Sequence, residues 1–192
     1  MSGETRIPLA QAERLAAELM ELLRPACDRI ELAGSIRRRK ADVGDIEILA
    51  APRTVQTVDM WGIPIPGLHS NALEDLCGCL LARGVLVARE TNGRGAWGER
   101  YKRVAFGDAK VDLFAVLHPA QWGVLLLIRT GPADFSRRFV TPRRQGGMMP
   151  EWAVVKDGAI WQRGTGEMIE TPEEEDVFRV LGLDWIPPES RS

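Results

Sequence analysis

Asp45 and Glu47 are separated by a single isoleucine at the end of the run Gly34-Ser35-Ile36-Arg37-Arg38-Arg39-Lys40-Ala41-Asp42-Val43-Gly44-Asp45-Ile46-Glu47. On a pleated strand alternate side chains share a face, so the two carboxylates point one way while Ile46 and Ile48 point into a core. Two acids on one small patch repel each other unless a cation lies between them. Hard oxygen ligands suit Mg2+, which keeps several waters and recruits substrate phosphates. A metal-assisted reaction at a triphosphate follows from that pairing. Upstream, the Gly34-Ser35 turn follows an apolar strand carrying Ile30 and Leu32, and a glycine there lets the backbone approach an anion closely. Arg37, Arg38, Arg39 and Lys40 add positive charge beside it. Each feature alone is common, since Asp-x-Glu occurs by chance and arginine runs are usually solvated. Their conjunction at this spacing points to a phosphate cradle beside a metal site.

A third acid, Asp112, lies between Val111 and Leu113, and a carboxylate on an apolar strand is expensive to bury unless it reaches solvent or a metal. The elements that must position these groups are legible as periodicities. Ala12, Leu15, Ala16, Leu19, Leu22 and Leu23 recur at helical spacing after Pro8 and predict a helix over 9–23. Strands are expected over 30–34 and 43–51, and Leu73, Leu76, Leu80 and Leu81 predict a second helix ended by Gly84. Three β-rich runs follow at 85–89, 100–106 and 110–116, with Gly107-Asp108 as a hairpin turn. Residues 122–128 read as a buried helix stopping at Thr130-Gly131, and 134–144 as an exposed basic helix interrupted by Pro142. A hairpin around Asp157-Gly158 and a last helix, starting at a capping box on Thr171 and ending before Gly182, complete an α+β chain.

With 45% apolar residues in 192, the chain can bury a core as one domain or two small lobes. The formal net charge of −2 argues against indiscriminate polyanion binding, yet basic residues crowd at 37–40, 94–103 and 137–144. Cys27, Cys77 and Cys79 form neither a disulfide framework nor a zinc site, and Cys77 and Cys79 read as helix packing residues. His69 and His118 carry no catalytic spacing. Trp122, Trp152, Trp161 and Trp185 sit among apolar residues and read as core, whereas Trp97 beside basic residues is a candidate for nucleic-acid contact. No apolar leader or membrane-length span is present, so a cytoplasmic location without membrane contact is expected.

In order and in motif, nearly the whole chain resembles the palm and thumb of family X DNA polymerases, the group of DNA polymerase beta. Arg6-Ile7-Pro8 resembles the opening of that palm, and Val111-Asp112-Leu113 its third-carboxylate strand. Trp122-Gly123-Val124-Leu125 with Thr130-Gly131 resembles the helix and turn beside the nucleotide, and the ending from Gly182 to Glu189 is similar to that of bacterial members. The resemblance implies a nucleotidyltransferase palm over 1–118, with a mixed sheet and flanking helices, and a small α/β thumb over 119–192. It implies that Asp45, Glu47 and Asp112 are catalytic and hold two Mg2+ ions, with Mn2+ as a substitute. Arg6, Gly34, Ser35, Arg38 and Gly44 would hold the phosphates, and Thr130 and Gly131 would lie against the incoming sugar and base. The implied reaction is in-line attack of a primer 3′-hydroxyl on a dNTP with release of pyrophosphate, in gap-filling repair on gapped or primed DNA.

Departures from the pattern carry their own expectations. Ile128-Arg129 stands where the polymerase beta group has an aromatic pair crowding a ribose 2′-hydroxyl, Ser136 replaces a base-reading asparagine, and Val140 lies where an arginine contacts template. Sugar discrimination and template fidelity are therefore left open. No lyase or helix-hairpin-helix segment precedes Met1, so abasic-site lyase activity is not expected. The DNA grip falls to Arg94, Arg100, Lys102, Arg103, Arg137, Arg138, Arg143 and Arg144, or to a repair or replication partner protein, in a chain expected to be monomeric. Two other readings stand beside polymerase: a template-independent or small-molecule nucleotidyltransferase, and an inactive DNA- or partner-binding module. Glu47 stands where the family usually has aspartate, and its extra methylene moves the carboxylate by about one C–C bond length. Glu47→Asp should therefore change the ratio of Mg2+- to Mn2+-supported nucleotide incorporation; identical metal profiles in the two proteins would contradict this.

Overall fold

The computed structural model of the protein describes residues 6–91 and 94–191, and the side chains of residues 91, 94 and 95 lie outside the described set. In chain order the elements are β1 (Ile7–Pro8), α1 (Leu9–Leu23), β2 (Cys27–Leu32), α2 (Gly34–Arg37), β3 (Asp42–Val43), β4 (Ile46–Pro52), β5 (Thr54–Val58), β6 (Pro64–Asn71) and α3 (Ala72–Ala82). There follow β7 (Val87–Ala88), β8 (Glu90–Thr91), β9 (Arg94–Gly95), β10 (Tyr101–Phe106), β11 (Ala109–Ala115), α4 (Trp122–Thr130) and α5 (Ala133–Val140). The chain closes with β12 (Ala153–Lys156), β13 (Ala159–Gln162), β14 (Met168–Ile169) and α6 (Glu174–Leu181).

A five-stranded mixed sheet in the order β2-β4-β11-β10-β7 organises the first half. β4 and β11 run parallel, and the other pairings are antiparallel. Alternation divides the sheet into two faces. Ile46, Ile48, Ala50, Val111 and Leu113 point to one face and pack with Leu15, Leu19, Leu23, Cys77 and Leu80 of α1 and α3. The opposite face carries Leu49, Phe114 and Val116 against Trp122 and Leu126 of α4. Because α4 also contributes Val124 and Leu127 to a separate core with Phe135, Phe139, Ile160, Val177 and Phe178, it links the sheet to the C-terminal elements. α4 and α6 approach closely at Gly123, where an added Cβ would stand 2.1 Å from Glu173 O.

Most expected elements are present, with instructive differences. The strand expected over 43–51 begins at Ile46, because Val43 belongs to a separate ladder, paired with Ile7, that swings the chain away before Gly44. Residue 34 opens a helical turn rather than closing a strand, since Gly34 adopts φ +62°. The last helix is capped by Glu173, whose side chain accepts from the N3 backbone, while Asp176 returns a bond to Glu173 N at 2.9 Å; Thr171 is instead buried and donates to Ala120 O. The basic helix ends at Val140, two residues before Pro142. Cys79 is exposed, as are Trp152 and Trp185 in part, so these three are not core residues. Burial pushes the Cys27 thiol up to about 11 and the Cys77 thiol to about 12, which makes both inert packing groups. The β5–β6 hairpin is unanticipated, because Gly62, Pro64, Pro66 and Gly67 break its pattern. No helix among the described residues is long and apolar enough to cross a membrane.

Ile48 lies fully buried at the sheet centre between α1 and α3. Ile48→Ala should lower unfolding free energy by about 2–5 kcal/mol, read as a shifted urea midpoint at unchanged slope; a shift under 1 kcal/mol would contradict that placement.

Candidate active site

The parallel pairing of β4 with β11 sets Glu47 directly beside Asp112, in step with Ile48 beside Leu113 and Leu49 beside Phe114. The two carboxylates therefore share a face, the one covered further along by α4, and Asp45 stands one residue ahead of β4. The expected three acids are brought together at the level of the backbone. Their side chains do not close into a ligand set: among the described residues no three His, Cys, Asp or Glu side chains are grouped to hold a metal ion. The physical reason lies on β10. Arg103 is the register partner of Asp112 and donates from Nε and Nη2 to its two oxygens, each at 2.6 Å, while the Tyr101 hydroxyl donates to Oδ1 at 2.9 Å. This bidentate pairing raises the Arg103 pKa, and burial with the Asp112 contact pushes the Tyr101 phenol up to about 12. Arg103, expected on the DNA-binding surface, is instead held on Asp112.

Glu47 is the strained member. Burial first, then the charges of Asp45 and Asp112, push its carboxyl up to about 7, against the opposing pull of Arg129 and Arg38. Arg129 stacks 3.9 Å above the Phe114 ring, and its buried Nε has no hydrogen-bond partner. A divalent cation fits this donor set: oxygen-only, hard, and carrying more negative charge than its neighbours offset. Asp45, Glu47 and Asp112 are the residues that would hold it.

A cavity of about 510 Å³ adjoins the acids, lined by Arg6, Ser35, Arg38, Lys40, Gly44, Asp45 and Glu47 among others. Its walls come largely from short elements. The β1–β3 ladder, tied further by Leu9 N to Ala41 O at 2.9 Å, places Arg6. α2 supplies Ser35, and Ala33 N donates to Glu47 O at 2.9 Å, which binds the turn to β4. Gly34 has no alternative, because its φ is positive and a Cβ would fall 1.9 Å from Glu47 Oε2. Gly44 differs: nothing lies within 4 Å of where its Cβ would stand, so a side chain there would fill cavity rather than protein. Ser35 Oγ and Arg38 Nε are buried without hydrogen-bond partners, and burial lowers the Arg38 pKa. Donors left unpaired beside two further cations suit an anion with many acceptor oxygens.

The thumb-side residues sit differently. Thr130 is buried, its hydroxyl accepting from Arg37 at 3.0 Å and its carbonyl from Arg38; Gly131 is half-buried. Arg37 also pairs with Glu174 at 2.8 Å, and Glu174 with the fully buried Arg191, which lies over the rings of Phe135, Phe178 and Trp185. This chain of contacts was not foreseen from sequence. Its one available signal is that Glu174 shares the helical face of Val177, Phe178 and Leu181. Of the expected DNA-contacting residues, Arg100, Arg137, Arg138, Arg143 and Arg144 are exposed. Arg143 nevertheless holds Met148 O and Leu181 O, and Arg144 pairs with Glu151. Lys102 departs from expectation: it is 3% exposed, and its ammonium binds Gly98 O and Glu74 beside the half-buried Trp97. Lys102 and Trp97 are thus packing residues, and the Arg94 side chain lies outside the described residues.

The ionisation of Glu47 has a stability consequence. Its folded pKa of about 7 exceeds the ordinary 4.5, so the folded chain holds a proton that the unfolded chain releases, and stability falls as pH rises from about 4.5 to about 7. Glu47→Gln should match the wild type near pH 4 and exceed it by on the order of 2–3 kcal/mol at pH 8 without divalent ions; equal urea midpoints at both pH values would contradict the burial argument.

Residues 125–192 match the family model described as DNA polymerase beta thumb. The whole chain aligns with DNA polymerase lambda of Rattus norvegicus, 29% identical over 209 residues, covering 33% of that protein. The chain thus spans about a third of the length of the curated relative it matches. Over its whole length the chain is thus similar to DNA polymerase lambda, and over residues 125–192 to the polymerase beta thumb.

Proposed function

We propose that the chain is a DNA-directed DNA polymerase that adds dNTPs to a primer 3′-hydroxyl, with residues 1–118 as a nucleotidyltransferase palm and 119–192 as the thumb. The observation that carries this reading is the Glu47–Asp112 register pair opening onto a cavity with unpaired Ser35 and Arg38 donors. On this reading Arg6, Ser35, Arg38 and Lys40 bind the triphosphate, and Gly44 leaves room for it. Mg2+, held by Asp45, Glu47 and Asp112, would supply Lewis-acid stabilisation of the entering and leaving oxygens of an in-line displacement. Arg103 orients the Asp112 carboxylate, with Tyr101 fixing one of its oxygens. Arg37 and Arg38, by gripping Thr130, hold the end of α4 against the phosphate turn, where Thr130 and Gly131 border the sugar and base. Arg100, Arg137, Arg138 and Arg144 offer exposed charge for the DNA backbone. Gap filling in repair is the role this reading assigns.

Single-nucleotide extension on gapped, primed and single-stranded DNA tests this. Wild type should incorporate the template-matched dNTP, Asp45→Ala should be at least ~100-fold slower, and Arg38→Ala should raise the dNTP KM roughly tenfold. Incorporation indifferent to template would make the chain a template-independent transferase, and no turnover with any nucleotide would leave a binding module.

A further inference from the structure

Arg129 is a cation placed beside the acids without a hydrogen-bond partner of its own. Phe114 follows Asp112 by two residues on β11, so the two share a face, and Phe114 stands beside Leu49 as Asp112 stands beside Glu47. The Arg129 guanidinium lies 3.9 Å over the Phe114 ring. It is thus one side-chain pair, about 6.6 Å, along that face from the two carboxylates, and its charge is felt at Glu47. Phe114 is held in turn against Tyr101, with ring centroids 5.1 Å apart. Among the described residues the Arg129 side chain donates no hydrogen bond and joins no ion pair, although its Nε is buried. A planar guanidinium seated on an aromatic face is fixed before any ligand arrives, and a buried donor left unpaired costs free energy until one does.

The phosphate cavity decides which part of a nucleotide meets this cation. Among the described residues that cavity is lined from within 6–47 alone, and by none of α4. Arg38 marks its border, for it lines the cavity and donates to the carbonyl of Thr130, the residue after Arg129. Ile128, on the other side, packs into the C-terminal core, so Arg129 is the residue of this last turn that reaches over the acid-bearing face. A triphosphate in the cavity with its α-phosphate at the acids directs its sugar out of the cavity toward Arg129 and Thr130, and the base lies one linkage further. Sugar hydroxyl oxygens accept from a guanidinium, and two parallel N–H groups on one edge of its fork match two neighbouring oxygens. We infer that Arg129 recognises the nucleotide sugar by donating to its vicinal 2′- and 3′-hydroxyls, so that ribonucleoside triphosphates bind more tightly than deoxyribonucleoside triphosphates. This rests on the nucleotide reading of the cavity and sharpens its substrate class: deoxynucleotides remain substrates, bound with one acceptor fewer.

Calorimetric titration of the full chain with Mg2+ and without primer reads sugar recognition apart from turnover. Wild type should bind ATP about tenfold more tightly than dATP or 3′-deoxyATP, each of which lacks one oxygen of the pair. Arg129→Leu, which keeps an apolar stem on Phe114, should bring the ATP-to-dATP ratio within about twofold. Arg129→Lys, which keeps the charge but not the fork, should leave that ratio near ~3. A wild type that binds the three nucleotides alike, or an ATP preference that survives Arg129→Leu at full size, would overturn the inference. Template-matched extension by a wild type with equal affinities for ATP and dATP sinks the sugar inference alone and leaves the polymerase reading standing. Arg129-dependent preference for ATP in a chain that extends no primer upholds the sugar inference and sinks the polymerase reading.

Discussion

The parallel register between β4 and β11 places two carboxylates side by side on one sheet face, and that repulsion governs the surroundings. Like charges opposite each other across strands destabilise a sheet. The fold offsets them unequally. Asp112 receives a bidentate guanidinium from the next strand and a phenol hydroxyl, and so is held in place. Glu47 receives no such partner; Arg38 and Arg129 are near enough to pull its pKa down, yet burial and the two acids outweigh them. One acid is satisfied internally and its neighbour is left demanding positive charge. A site so divided is structurally complete on one side and open to a cation on the other.

The phosphate side of the site is linked to the C-terminal elements by the same class of interaction. Arg37 and Arg38 reach from the α2 turn to Thr130, and Glu174 joins Arg37 to Arg191 near the end of the chain. A buried ion pair contributes little net stability over a packed apolar pair, because desolvation offsets the attraction, but losing one partner strands the other charge at about 3–5 kcal/mol. The network therefore acts mainly as a constraint on geometry. It holds the end of α4 beside the turn that lines the phosphate cavity, and the Arg191 guanidinium is seated on three aromatic rings so that Glu174 is met from both sides.

Much of this was legible in the sequence where one residue type permits one physical outcome. The alternation around Ile46 and Ile48 placed Asp45 and Glu47 at the start of a buried strand, and the apolar flanks of Asp112 placed it on a second. What alternation cannot supply is the strand order, so the pairing of β11 between β4 and β10 was not available, and with it the capture of Asp112 by Arg103. Arg103 and Lys102 read as surface cations because a basic run looks alike whether it faces solvent or folds inward. The structure sends them to opposite faces of β10, one to Asp112 and the other to Glu74. The hairpin over 54–71 escaped because its prolines and glycines imitate a loop, although Thr54–Val58 alternates as a strand should. Glu174 was hidden in an acidic stretch whose neighbours Glu173 and Glu175 are exposed. The match of residues 125–192 to a polymerase beta thumb accords with the ending that the resemblance rested on, while the roles of individual side chains rest on geometry.

The central claim is that the β4–β11 register gathers Asp45, Glu47 and Asp112 around divalent cations. Anomalous diffraction from crystals of the chain grown with Mn2+ and a non-hydrolysable dNTP addresses it directly. The account predicts a manganese peak at about 2.0–2.3 Å from carboxylate oxygens of all three acids, with the triphosphate on Ser35 and Arg38. Manganese bound elsewhere, with the cavity free of phosphate, would contradict it.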